Sequence, residues 1–410
     1  MMLYGGIDWG DQTLDYQLLS EGGKVLADGR VTADVEGLAE LFCVLEPHGR
    51  PEQISLAIET KHGAWMQSLL DRGYHIYPVN PKSVDNFREA CSANGDKSDR
   101  IDRGVLARYM LVFRDTLRAL KPDAPEIVSL RIACQDRVTR VEERTARLNE
   151  LLSTLKAFYP AFLGLFGELR SAIALAFLQD FPTQDAMSKL TARRLETWLR
   201  RKSYTCMYRL AEMVAHLAAE KLPVESHLQQ AKAPTIRYLA KAIAALNEEI
   251  ARREREIDQA FHELPESRWV CSLPQAGPNL APALLACLGR DQGRFESVGE
   301  ARAFFGTAPV SKASGRSRIV VFRRGCWKFA RRTFQLYADA CRRDCPWASD
   351  LYDRLRQKGN DHHEALRVLA HKWVPILLAM QRTGTAYNEA VYQQSRRRYL
   401  LNRTQAPALN

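Results

Sequence analysis

The sequence predicts an α/β N-terminal domain followed by an all-α remainder, mainly helical to the end. Three observations carry this reading. Strand and helix signals alternate over roughly the first eighty residues, strand signals nearly vanish after about residue 113, and one long segment shows apolar residues on alternating three- and four-residue steps.

Residues 3–8, 13–19 and 24–31 read as strands, with Gly22-Gly23 as the hairpin turn between the second and third. A helix is expected over 35–46, then a mostly apolar strand over 53–59, which suits a buried parallel position. A helix near 63–72 and a strand over 74–79 follow, with Pro78 and Pro81 marking the strand's exit. A three-stranded meander followed by βα units is the order of ribonuclease-H-like domains. A further helix begins near Asp99, with Ser98 as N-cap and Ile101, Val105, Leu106 and Tyr109 on its apolar side.

Residues 137–158 place Val138, Val141, Leu148, Leu151, Leu155 and Phe158 on one stripe, ended by Pro160. Residues 161–232 are helical with breaks at Pro182 and Pro223. Then Ile236, Leu239, Ile243, Leu246, Ile250 and Ile257 give a short coiled-coil signature, with Arg253 in its one gap. Its partner is open between the 137–158 helix, a second subunit and ordinary bundle packing. Pro265 marks the next boundary. Leu273-Pro-Gln-Ala-Gly-Pro278 reads as a turn into the helix Asn279–Leu288, Gly306–Gly315 as a small-residue loop, and 326–343 and 361–381 as helices. The domains expected are 1–135, 136–266 and 267–400, with a basic, poorly ordered tail over 401–410.

The chain has 410 residues and a formal net charge of +11. The charge is unevenly spread. Residues 1–110 hold 17 Asp/Glu against 11 Lys/Arg, while residues 301–410 hold 21 Lys/Arg against 7 Asp/Glu. An acidic half joined to a basic half interleaved with aromatics suits an enzyme acting on a polyanion, though a solvated basic surface gives the same count. No apolar run is long enough to span a membrane, and no signal-peptide pattern opens the chain, so a cytoplasmic, nucleoid-associated protein without a membrane partner is expected. The nine cysteines contain no CxxC pair and read as reduced thiols. Cys341 and Cys345, one helical turn apart, read as small helix residues rather than zinc ligands.

Four carboxylates stand out. Asp8 and Glu59 end apolar strands, where a charge costs desolvation unless something positive lies beside it. Asp99 and Asp102 open a helix at i, i+3 spacing. Together they suggest an oxygen-only site for Mg2+ or Mn2+ and phosphoryl transfer on nucleic acid, with Asp8 deepest as the bridging ligand. Each acid also has an ordinary reading: helix-start acids for Asp99 and Asp102, a turn residue for Asp8, a pair with Lys61 for Glu59. Asp11, Asp15 and Asp96 read as surface acids.

At these residues the chain resembles the DEDD-type insertion-sequence transposases, understood as bridge-RNA-guided serine recombinases and related to the Piv-type DNA invertases. The resemblance lies in Gly6-Ile-Asp8, Ile58-Glu59-Thr60 with Gly63, Asn80-Pro81, and Lys97-Ser-Asp-Arg-Ile-Asp102 followed by Leu106-Ala107, where Arg103 replaces the usual Ala. It resumes at Arg294-Phe295, Ala303-Phe-Phe-Gly306, Pro309 and Ser314-Gly315. It departs at Pro274-Gln-Ala-Gly277, which lacks the first glycine of Pro-Gly-x-Gly, and at Arg323-Arg324-Gly325, where Ser-Lys-x-Gly is usual.

The resemblance implies a RuvC-like domain whose acidic tetrad is Asp8, Glu59, Asp99 and Asp102, and a nucleophile at Ser314, with Ser311 and Ser317 as weaker candidates. It implies a phosphoserine intermediate, donor and target DNA as substrates, a structured bridge RNA that selects them, and a homo-oligomer, dimer or tetramer, in which the acids and the serine meet between subunits. Lys312, Arg316, Arg318, Arg323, Arg324, Lys328, Arg331 and Arg332 are expected to hold phosphates, with Trp327, Phe329 and Phe334 among them mostly in the core. The competing readings are a RuvC-like nuclease or junction resolvase using water, and a nucleic-acid scaffold whose RuvC-like domain is dead.

Overall fold

The computed structural model describes residues 2–10, 12–59, 64–91, 99–121, 123–314 and 317–394; the side chains of 64, 99–103, 312–314, 317 and 318 fall outside that description. The chain divides into two compact units, Met1–Pro122 and Asp123–Asn410.

The first unit is α/β. Its strands are β1 (Leu3–Trp9), β2 (Thr13–Leu19), β3 (Val25–Thr32), β4 (Ile54–Ile58) and β5 (His75–Pro78); its helices are α1 (Val35–Leu45), α2 (Ala64–Asp71), α3 (Pro81–Cys91) and α4 (Asp99–Phe113). The sheet order is β3-β2-β1-β4-β5. The first three strands pair antiparallel, and β4 and β5 extend the sheet in parallel from β1. This mixed order is compatible with the ribonuclease-H-like arrangement expected from the meander and βα units.

Side-chain alternation divides the strands between two cores. Leu3 and Ile7 of β1 and Ile54, Leu56 and Ile58 of β4 face one side, packed with Leu41 and Phe42 of α1 and Leu69 of α2. Tyr4 and Ala57 face the other, packed with Val84 of α3 and Val105, Leu106 and Met110 of α4. The sequence reading ended strand β5 at its prolines and did not foresee α3. Pro81 in fact takes the first helical position, where its missing N–H costs nothing, and the Asn80 side chain accepts from the Lys82 N–H at 3.0 Å.

The second unit begins with α5 (Pro125–Phe158), which starts a dozen residues before the expected stripe. Four shorter helices follow, α6 (Ala172–Asp180), α7 (Gln184–Ser188), α8 (Ala192–Arg201) and α9 (Leu210–Ala218), then the long α10 (Ser226–His262). Polar contacts fix α5 and α10 as antiparallel neighbours within one chain. Arg137 donates to Glu254 at 2.9 Å and Arg144 to Asn247 at 3.1 Å, so position rises on one helix as it falls on the other. Arg253, the gap in the apolar stripe, reaches Asp136 across the seam at 3.3 Å and Glu249 on its own helix at 2.8 Å. Leu151 and Leu155 pack with Ile236, Leu239 and Ile243 and with the short helices at one end of the pair. Ile127 and Leu130 pack with Ile257 and Phe261 in a second core at the other end.

That second core also holds α11 (Ser267–Val270), α12 (Gly277–Leu288), α13 (Val298–Phe304), α14 (Lys328–Cys341), α15 (Pro346–Gln357) and α16 (His362–Thr383). Between α13 and α14 lies a hairpin, β6 (Val310–Ser314) and β7 (Ser317–Val321), where a loop had been expected. The β-branched run Ile319-Val-Val321 outweighs the small residues before it. Helix α15 was also unforeseen. Cys341 and Cys345 are buried, Cys341 accepting from the Trp373 indole at 3.0 Å, as core residues do. Phe334 is fully buried, and Trp327 and Phe329 pack partly buried against the same core. Among the described residues no helix is long and apolar enough to cross a membrane. The tail beyond 394 lies outside the described residues.

Candidate active site

In the first unit, Gly6 controls where α4 docks. A Cβ placed on Gly6 would lie 2.4 Å from both the Ala107 nitrogen and the Leu106 Cβ. Only a residue without a side chain lets the helix approach this strand so closely. Two elements of the motif pattern, Gly6 and Leu106-Ala107, are therefore a packing pair.

The same contact assigns Asp8 its face. Alternation puts Tyr4, Gly6 and Asp8 on the α4 side of the sheet. It puts Ala57 and Glu59 there too, since Ala57 packs in the α4 core. Register brings the two acids to neighbouring strand ends: Ile7 pairs with Ile58 in parallel as the last pair of the ladder, and Asp8 and Glu59 come directly after it. Both residues are half-buried. Helix α4 runs opposite to β1, with Arg114 over the Tyr4 ring at 5.6 Å and Leu106-Ala107 over Gly6. The helix rises about 1.5 Å per residue against about 3.3 Å for the strand. Its opening turn, Asp99 to Asp102, thus extends over the C-terminal end of β1, the end that carries Asp8. The side chains of Asp99 and Asp102 lie outside the described residues, as do Ser98, Lys61, Asp11 and Asp96.

A further acid lies beside Asp8 in the sheet. Asp15 pairs directly with Asp8 across β1 and β2, and Arg30 pairs with Asp15 across β2 and β3. Arg30 grips the Asp15 carboxylate through both Nε and Nη2, the latter at 2.9 Å. Asp15 had been expected as a surface acid, but its side chain is only 16% exposed. A carboxylate directly opposite another is unfavourable unless neutralised, and Arg30 supplies the charge. The sequence alone held no sign of this, because i, j pairing across strands depends on register.

Among the described residues no group of three or more His, Cys, Asp or Glu side chains gathers at metal-holding distance. Two half-buried carboxylates at adjacent strand ends are nonetheless the hard oxygen donors that a divalent cation takes.

In the second unit, the hairpin register places Ser314 opposite Ser317 as its last pair, at the tip. Ser311 is exposed on β6. The side chains of Ser314, Ser317, Lys312 and Arg318 fall outside the described residues, with all of Gly315 and Arg316. Arg323 donates to the Ala308 carbonyl at 3.1 Å and Arg331 to the Arg323 carbonyl at 3.2 Å, so both brace the hairpin base. Arg332 pairs with Glu142. Arg324 and Lys328 are exposed.

Arg294 is a core cation. It donates to the carbonyls of Cys287 and Leu288 at 3.0 and 3.2 Å and lies against the rings of Phe295, Phe304 and Trp327. Asp123 lies 4.0 Å away, and it also binds Arg131 and the Arg290 N–H. The Arg294-Phe295 motif thus builds the fold. Gln275, where the usual turn has glycine, takes φ +55°, and its amide donates to Asp344.

Residues 5–160 match a family model described as a transposase, the DEDD type of IS110, and residues 267–353 match one described as the transposase IS116/IS110/IS902 family. The mini-circle putative transposase for IS117 of Streptomyces coelicolor is 28% identical, covering 95% of this chain and 96% of its own length. The insertion element IS116 uncharacterized 44.8 kDa protein of Streptomyces clavuligerus is 26% identical over 95% of this chain and 96% of its own. The insertion element IS900 uncharacterized 42 kDa protein of Mycobacterium paratuberculosis is 25% identical over 95% of this chain and 98% of its own. The two matched segments enclose the acid-bearing rung and the serine-bearing hairpin respectively, and the chain belongs to the IS110 family of insertion-sequence transposases.

Proposed function

We propose that this transposase cuts and rejoins DNA through a phosphoserine intermediate at Ser314, assisted by a divalent cation held by Asp8, Glu59, Asp99 and Asp102 of a RuvC-like domain. The observation that carries the reading is that Asp8 and Glu59 directly follow the last β1–β4 pair, Ile7–Ile58, at the end of strands whose Tyr4 and Ala57 pack with α4. Three functional regions are proposed, 1–135, 136–266 and 267–400, with the middle one linking acids to serine along the chain.

Bound Mg2+ or Mn2+ would polarise the scissile phosphate and favour the ionised form of an attacking hydroxyl. The chain's own residues do the rest. The Ser314 Oγ forms a bond to phosphorus as the bond to the 3′ oxygen breaks, and that oxygen leaves as a hydroxyl once it takes up a proton. The reverse step, attack by a 3′-hydroxyl of an exchanged strand, restores the phosphodiester and frees the serine, so no external energy source is needed. The cations of the hairpin and α14 neutralise flanking phosphates. A structured RNA is proposed to select donor and target by base pairing, with the protein reading backbone and shape. The working form is proposed to be a homo-oligomer.

The test combines protein, element-end DNA, the element's flanking RNA and Mg2+. A denaturant-resistant protein–DNA adduct is expected, absent in Ser314→Ala, Asp8→Ala and Glu59→Gln. Nicked DNA without adduct would instead mark a water-dependent nuclease. An adduct surviving Ser314→Ala would sink the serine, unchanged activity in Asp8→Ala would sink the metal site, and full activity without RNA would remove the guide.

A further inference from the structure

Residues 161–266 lie between the two matched segments, and the proposed chemistry uses none of them. Within this stretch, residues 189–209 hold seven Lys/Arg and one acid. Helix α8 divides this charge cleanly. Leu195, Trp198 and Leu199 are buried in the core shared with α5, α6 and α10. Arg193, Arg194, Arg200 and Arg201 are exposed. At about 100° per residue these four form one stripe on the outer side, and Arg193 and Arg200 lie about 10 Å apart along the axis.

Two features separate this stripe from an ordinary solvated face. Arg193 and Arg194 occupy the first helical turn, which contains no acid. The partial positive charge of a helix N-terminus disfavours cations there. The helix is otherwise well made, with Thr191 capping the Arg194 N–H at 3.3 Å, so the misplaced charge is a local rule broken without an internal gain. Second, only Arg200 of the four has an ion pair among the described residues, with Glu196 at 2.8 Å. Tyr208, 83% exposed, adds an aromatic ring to the same segment.

We infer that the outer face of α8 is a second nucleic-acid surface, which takes phosphodiester backbone on Arg193, Arg194, Arg200 and Arg201, apart from the serine hairpin. Arginine forks bind phosphate oxygens two at a time and keep their charge at any working pH. The four guanidiniums present charge with no apolar side chain among them, and a phosphate backbone needs only such cations. The inference does not depend on the serine or metal chemistry, since it concerns binding alone.

The backbone has two sources, element DNA and a folded RNA, and the test separates them. Affinity of the full-length protein for a duplex DNA and for a folded RNA is measured against salt concentration. Each neutralised phosphate adds about 0.9 to the slope of log K against log salt for duplex DNA and about 0.7 for single strands. The variant with all four arginines changed to glutamine should lose about 2 to 3 from the slope on whichever probe the face serves, Arg200 adding less than a full share because Glu196 already pairs it. The corresponding lysine variant should keep it. Because all four side chains are exposed, melting temperature should change little. Arg193→Gln and Arg201→Gln alone, each worth about 0.9, repeat the test if the fourfold variant folds poorly. Loss on RNA alone assigns the face to RNA, and loss on DNA alone to DNA. Equal slopes for wild type and glutamine variants on both probes would overturn the inference.

Discussion

At the scale of single residues, the informative positions are those where an ordinary preference is broken. Gln275 holds a left-handed backbone that costs a side-chain-bearing residue roughly 1–2 kcal/mol, and its hydrogen bond to Asp344 offsets part of that. Gln275→Ala loses the bond and keeps the strain, while Gln275→Gly loses both. The glycine variant should therefore be more stable than the alanine variant by about 1 kcal/mol in denaturant unfolding. The missing glycine was legible in the sequence, but the left-handed backbone that makes it matter was not. His371 is a second such position. Its Nδ1–H donates to the Thr307 carbonyl at 3.2 Å, and burial, helped by Arg302 and Lys372, pushes its pKa down to about 4. Between about pH 6.5 and 4 the unfolded chain then binds the proton that the folded chain refuses, so stability falls on acidification through this window. His371→Asn keeps an N–H donor and removes the titration. Its melting temperature should fall less steeply than the wild type's between pH 7 and pH 4.

At the scale of elements, periodic apolar patterns were legible and punctuation was not. Pro81 was read as a strand's exit, yet it opens a helix, as Pro125 and Pro346 also do, because the first helical position needs no N–H donor. The hairpin was hidden by the small residues of its first strand. The rung that joins Asp8, Asp15 and Arg30 depends on register, which no single strand's sequence contains. The stripe of α10 shows the finer limit. Ile243 and Leu246 look equivalent in sequence, but Ile243 is fully buried beside the α6–α9 cluster and Leu246 is half-buried. Truncating a buried aliphatic side chain costs about 2–5 kcal/mol, depending on the cavity left. Ile243→Ala should lie within that range and Leu246→Ala below it, and chemical denaturation of the two variants measures the difference.

At the scale of the whole molecule, charge is unevenly spread along the chain. The N-terminal 110 residues carry 17 acids against 11 bases, and the last 110 carry 7 against 21. Such an excess sets affinity for a polyanion only through cations that are free to meet it. Of the basic residues expected at the hairpin, Arg323 and Arg331 donate to carbonyls at its base and Arg332 is held by Glu142. Arg324 and Lys328 are exposed and have no ion pair among the described residues. Neutralising a free cation removes one released counterion from duplex binding, about 0.9 in the slope of log K against log salt. Arg324→Gln with Lys328→Gln should therefore lower the slope by about 2. Arg332→Gln should lower it by less than one cation's share of about 0.9, because the wild-type arginine must first leave Glu142 to reach a phosphate. Salt titrations of duplex binding by the three proteins read this directly. A loss of about 0.9 for Arg332→Gln, half that of the double variant, would mean that the ion pair to Glu142 opens when DNA binds.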